Sequence, residues 1–182
     1  MFMGKILREG NFKLGCIHGR ITAQKKDSEA DIQRNVFLSQ KLKIVKSRNE
    51  EIIIRLFGYE VPLEKKTRGK CVDLIGYDKD HNLYLIELKK DDSKEQIDKV
   101  IRQLNGYADD VEKIIEHIQE DFEKEFFYPI KFKKIIKMII APKNFYTDKK
   151  LIDGSIKYYG YFRSKDIHNK PNYNITSIHL MK

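Results

Sequence analysis

Apolar positions along this chain follow two periods, and stretches of one alternate with stretches of the other. Residues 70–90 hold two β-rich apolar runs around a polar turn, Asp78-Lys-Asp-His-Asn82, which predicts a β-hairpin. Nearly every residue of both runs is apolar, so both faces of these strands are expected to be buried. Upstream, Ser28 with Asp31 three residues later is a helix-capping pattern, and it predicts a helix from 28 to about 42. Its inner face would carry Ile32, Val36 and one of Ser39 or Gln40. The β-branched run 51–57 reads as a strand that continues loosely through 59–62. Downstream, Asp91-Asp92-Ser93 is expected to cap a long helix over about 94–126. Its stripe is Ile97, Val100/Ile101, Leu104, Tyr107/Ala108, Val111, Ile114/Ile115 and Ile118. Residues 131–141 form a further buried strand closed by Pro142, 156–162 an edge strand, and 174–180 another strand. Around Gly15 and Gly19, residues 12–21 read as short strands suited to an extra hairpin or to a homodimer contact.

The expected order is therefore helix, three strands in a meander, helix, strand: an α/β structure with one sheet and helices packed on it. No repeat or linker divides the 182 residues, which suits one domain, 1–182. No apolar run approaches the roughly 20 residues of a membrane span, and the first residues lack the apolar core of a signal peptide. Two cysteines are too few for a disulfide framework, and the cytoplasm is the expected compartment. The net charge of +9 suits an anionic partner, nucleic acid first; a generally lysine-rich composition would produce the same number.

The buried hairpin carries three charges. Charged side chains are almost never fully buried unless paired or bound to a metal. Alternation puts Glu87 and Lys89 on one face, and a turn centred on Asp80 sets Asp73 across from Glu87. Two carboxylates and one ammonium would then converge; the plain alternative is a structural ion pair. Glu29 falls on the inner stripe of the first helix, in its first turn, where an acid also complements the helix dipole. Gln103 and Tyr107 lie one turn apart beside the inner stripe of the second helix. A basic loop with Lys65, Lys66, Arg68 and Lys70 leads into the strand that carries Asp73.

That element order, carrying Ser28-Glu29, Val72-Asp73, Glu87-Leu88-Lys89 and Gln103-Leu-Asn-Gly-Tyr107, resembles the PD-(D/E)xK nuclease superfamily. The closer likeness is to RecB-type and NucS-type DNA endonuclease domains, which have a trailing Gln-x-x-x-Tyr. The likeness covers about 28–141, with 1–26 and 143–182 as extensions. Val72 stands where the motif's name has proline. Glu50, Glu51 and Glu60 compete with Glu29 for the helical acid, and the inner-face position favours Glu29. The resemblance implies a restriction-endonuclease-like core (αβββαβ), a central mixed sheet flanked by helices. It implies a magnesium-dependent endonuclease acting on DNA, in restriction or repair, with manganese as the alternative cation.

The residues suit that chemistry. Phosphodiester hydrolysis needs an activated water and stabilisation of the charge that builds on phosphorus-bound oxygens. Asp73, Glu87 and the Leu88 carbonyl supply the hard oxygens that Mg²⁺ prefers, and Glu29 would hold a water of its shell. Lys89 would orient or deprotonate the attacking water, or neutralise the phosphate; burial and the carboxylates push its protonation in opposite directions. Gln103 and Tyr107 would steady the site, and the basic loop would track the backbone. The alternative is a catalytically silent, nuclease-derived subunit that binds nucleic acid or regulates a partner.

Overall fold

The computed structural model describes residues 28–47, 50–63, 71–90, 93–149, 151, 153–165 and 171–177. The Ser28 hydroxyl accepts from the Asp31 N–H at 3.1 Å, and helix α1 (Glu29–Leu38) follows it. Ile32 and Val36 are buried as expected, but Ser39 and Gln40 are exposed and α1 stops at Leu38. The Ser39 hydroxyl donates to the Val36 and Lys41 carbonyls, and Gln40 turns into the left-handed region at φ 56°. Beyond that turn, Leu42 and Ile44 are buried while Lys41, Lys43 and Val45 are exposed. That is a period of two, and it makes a strand, β1 (Lys41–Ser47), whose first two residues fall within the expected helix.

The meander therefore has four strands rather than three. After β1 come β2 (Glu50–Pro62), β3 (Cys71–Tyr77) and β4 (Leu83–Leu88), each antiparallel to the one before. Strands β2 and β3 approach so closely that a Cβ on Gly76 would lie 2.7 Å from the Arg55 carbonyl oxygen, so only glycine fits there. Helix α2 (Ile97–Phe126) then crosses one face of the sheet, and β5 (Ile135–Pro142) returns parallel to β4. With β3 and β5 pairing its two edges and α2 and α1 covering its two faces, all of β4 is buried, which accounts for its nearly continuous apolar run.

Three further expectations are corrected. The strand expected from 131 begins at Ile135, because residues before it are tied to the hairpin turn: Lys133 N–H donates to the His81 carbonyl, and Leu83 N–H to that of Lys134. Helix α2 begins at Ile97 rather than 94, and Ser93 does not cap it; the N-cap is Gln96, which makes no side-chain cap bond. The 156–162 segment is no edge. It belongs to β6 (Ile156–Lys165), which runs parallel to β5 and antiparallel to β7 (Pro171–Ser177). Two parallel pairs, Ile44↔Ile175 and Val45↔Thr176, join β7 to β1 and close the strongly curled mixed sheet.

Each face of the sheet has its own apolar core. On one, Val100, Leu104, Val111 and Ile114 of α2 pack on Val72, Leu85 and Ile139. On the other, Ile32, Val36 and Phe37 of α1 pack on Ile54, Leu74, Ile86 and Ile140. At roughly 25 cal/mol per Å² of apolar area, two such layers make hydrophobic burial the main stabilising term. Among the described residues, no helix is long and apolar enough to cross a membrane. The segment 12–21 lies outside the described residues.

Candidate active site

Alternation decides which charges meet. Leu85 faces α2, so Glu87, two residues along β4, faces α2 as well. The pairs Leu74↔Ile86 and Gly76↔Tyr84 fix the register. One step further sets Asp73 opposite Glu87, with the turn centred on Asp80. The strand ends are pinned by Asp73 itself, whose Oδ2 accepts from the Leu88 N–H at 2.8 Å.

Glu87 is 2 % exposed and Lys89 5 %. The Lys89 Nζ lies 3.0 Å from Glu87 Oε1, 2.9 Å from Glu95 Oε2 and 3.5 Å from Glu29 Oε1. Glu29 reaches this point from α1, on the other face of the sheet, and its Oε2 also accepts from the Lys90 N–H at 3.1 Å. From α2, Gln103 Nε2 donates to Tyr107 Oη at 2.7 Å and, more weakly, to Glu87 Oε1 at 3.4 Å. The second oxygen of Glu87, Oε2, is buried and has no hydrogen-bond partner among the described residues.

Three carboxylates, Glu87, Glu95 and Glu29, thus share one buried ammonium, with the Asp73 charge close by, and the electrostatics follow from that. Burial holds the Asp73 carboxyl well above its usual range, and the neighbouring Glu87 charge adds to the shift. Burial also raises Glu87, against the opposing pull of Lys89. Burial alone would strip the proton from Lys89. The Glu87, Asp73 and Glu29 charges outweigh it, so its pKa rises and the side chain stays an ammonium. Burial likewise raises Glu95, but hydrogen bonds from Lys99 and Lys89 bring it below its usual value. Tyr107 is pushed up by burial and by Glu87.

The structure therefore brings Glu29, Asp73, Glu87, Lys89, Gln103 and Tyr107 to one place, beside the Leu88 backbone. Of the competing acids, Glu50 and Glu51 lie elsewhere, while Glu60 falls across from Asp73, between the pairs Tyr59↔Leu74 and Val61↔Val72, with its side chain exposed. Glu50 and Glu51 are exposed at the start of β2, where Glu51 Oε2 pairs with Lys43 at 2.6 Å, and Glu60 is exposed at a left-handed φ of 45°. Lys65, Lys66, Arg68 and Lys70 lie outside the described residues. The exposed Lys131, Lys133 and Lys134, a second candidate for backbone contacts, sit at the turn end of the hairpin, away from Asp73.

Two contacts escape a reading of the sequence. Glu95 precedes α2 and looks like an acid placed for the helix dipole, yet its carboxylate turns back onto Lys89. Tyr161 Oη donates to the Lys89 carbonyl at 3.2 Å from β6, a partner that no local pattern announces.

The donor set suits a hard divalent cation. Asp73 and the orphaned Glu87 Oε2 offer oxygen donors on neighbouring strands, the Leu88 carbonyl follows directly, and a cation would favour the charged carboxylates that burial now disfavours. Among the described residues, no three His, Cys, Asp or Glu side chains form a ready-made metal shell. The fit is to two carboxylates, with water or phosphate completing the sphere.

Comparison of the chain with protein-family models, with curated proteins and with solved structures finds no match.

Proposed function

We propose that this protein is a divalent-metal-dependent endonuclease that hydrolyses phosphodiester bonds in DNA, on a core of the restriction-endonuclease-like kind. One observation carries the reading: two desolvated carboxylates, one with an unpartnered buried oxygen, face each other beside a buried ammonium. A purely structural ion pair would use up its acceptors, because an unsatisfied buried polar group costs about 1–3 kcal/mol.

In this reading Asp73, Glu87 and the Leu88 carbonyl hold Mg²⁺ or Mn²⁺. The cation, when bound, polarises the scissile phosphate and lowers the pKa of the water that attacks it. Lys89, kept charged by its carboxylates, acts as an N–H donor that orients the attacking water or neutralises a phosphate oxygen. Glu29 fixes Lys89 and the Lys90 backbone from the far side of the sheet. Gln103, braced by Tyr107, keeps Glu87 oriented.

The test is cleavage of supercoiled plasmid by the purified chain in Mg²⁺ or Mn²⁺, with a chelator arm. Nicking that the chelator abolishes is the expected result. Absence of nicking under every condition, with DNA binding retained, would replace this reading with that of a silent nucleic-acid-binding subunit.

A further inference from the structure

Lys89 has three N–H donors, and the structure places three carboxylates around it: Glu87, Glu95 and Glu29. The Glu87 and Glu95 contacts are within hydrogen-bond distance and the Glu29 contact is a looser ion pair, so a phosphate that binds Lys89 has to compete with these carboxylates. Glu87 belongs to a fully buried strand, and Glu29 sits in the first turn of α1, where it is also bonded to the Lys90 backbone. Glu95 differs from both. It lies in the irregular segment before α2, and its two oxygens are divided between two ammoniums: Oε2 on Lys89 and Oε1 on Lys99, each at 2.9 Å. Lys99 is on the surface, its side chain 66 % exposed. A carboxylate bridging two ammoniums occupies the place that two non-bridging oxygens of a phosphodiester would take.

We infer that Lys89 and Lys99 form a phosphate-binding subsite that Glu95 fills in the free protein, so that a nucleic-acid phosphate binds by displacing the Glu95 carboxylate. The inference rests on the nuclease reading of the site and adds Lys99 to the groups that bind substrate. Glu95 becomes an internal competitor: it keeps Lys89 in position while the site is empty and swings aside when substrate arrives. Surface exposure of Lys99 gives the incoming phosphate a first contact before it reaches buried Lys89.

Binding without chemistry tests this. Affinity for a fluorescent oligonucleotide, duplex or single-stranded, is measured in chelator over a salt series for the full chain and its Glu95→Gln and Lys99→Gln variants. Removing the competitor should tighten binding about five- to tenfold in Glu95→Gln, a partly buried charged pair being what the phosphate otherwise has to break. Lys99→Gln should bind more weakly, with a log–log salt slope shallower by about 0.9 on duplex or about 0.7 on single strands. In the double variant the gain from Glu95→Gln should shrink, since one of the two ammoniums it frees is gone. Cleavage assays should show Glu95→Gln acting on KM. A prop that only positioned Lys89 would show its loss in kcat with affinity unchanged. If the wild type binds and Glu95→Gln binds no tighter, the subsite inference is overturned and the nuclease reading stands. If no variant binds nucleic acid, both fall together. Lys99→Gln changes a surface side chain and leaves the fold intact, so its salt slope decides the matter even if Glu95→Gln does not fold.

Discussion

The two ends of the β3–β4 hairpin bury carboxylates in opposite ways. At the turn, Asp78 is only 6 % exposed, yet it accepts four hydrogen bonds: from the Asp80 and Asn82 N–H groups at 2.9 Å, Asn82 Nδ2 at 2.8 Å and Tyr84 Oη at 2.9 Å. Burial would raise its pKa, but those donors bring it below the usual value. At the open end, Asp73 accepts one backbone N–H and Glu87 Oε2 accepts nothing; both carboxyls are raised. A buried acid whose donors come from its own turn is part of the scaffold, since the sequence next to it satisfies it. A buried acid without enough donors is open to charge from outside, which the proposed function would supply as a cation and a phosphate. The same twenty residues therefore hold a structural carboxylate and a chemical one, and burial alone does not distinguish them.

The largest effect should fall at the open end. Asp73→Ala or Lys89→Ala should lower cleavage by on the order of a thousandfold or more while the protein stays folded by circular dichroism. Parent-like cleavage by both would place the chemistry elsewhere. Next in size, Asp78→Ala should cost about 2–4 kcal/mol of stability by leaving its donors unpaired, read by denaturant unfolding. Cleavage per folded molecule should be unchanged. Asp78→Ala unfolding with a parent midpoint would erase the contrast between the ends.

A smaller and more discriminating effect is in the pH dependence of metal-free stability. The folded pKa of Asp73 lies above its unfolded value. Its contribution is therefore complete below the unfolded carboxylate range and is lost as pH rises through the raised value. The folded pKa of Asp78 lies below its unfolded value. Its contribution is present above the unfolded value and is lost as pH falls through the lowered one. Asp73→Asn should flatten the loss on the alkaline side, and Asp78→Asn the loss on the acid side. Melting curves from acid to neutral pH read both slopes, and a swap of the two would contradict the assignment.

Much of this contrast is visible in the sequence, and the reasons for the remainder are local. Period-two alternation with a turn centred on Asp80 is enough to pair Asp73 with Glu87 and to set Lys89 beside them. The 3.6 period puts Gln103 and Tyr107 under the same spot, and the inner stripe of α1 selects Glu29 over Glu50, Glu51 and Glu60. Strand β1 is hard to see because its alternation starts directly after α1, and only the left-handed turn at Gln40 separates them. The turn residue Asp78 reads as a solvated polar group, and its burial depends on Tyr84 and the sheet around it. Glu95 was hidden for a related reason: the contact that places it is tertiary, and it delays the helix that the capping pattern puts three residues earlier.

Cation-dependent melting of metal-free wild type, Asp73→Asn and Asp78→Asn tests the central claim most directly. If the open end holds the cation, saturating Mg²⁺ or Mn²⁺ should stabilise wild type and Asp78→Asn alike, by about 2.7 kcal/mol at a hundredfold excess over Kd. Asp73→Asn should gain little or nothing. Equal stabilisation of Asp73→Asn and wild type would contradict the account, because the cation would then be bound without the carboxylate assigned to hold it.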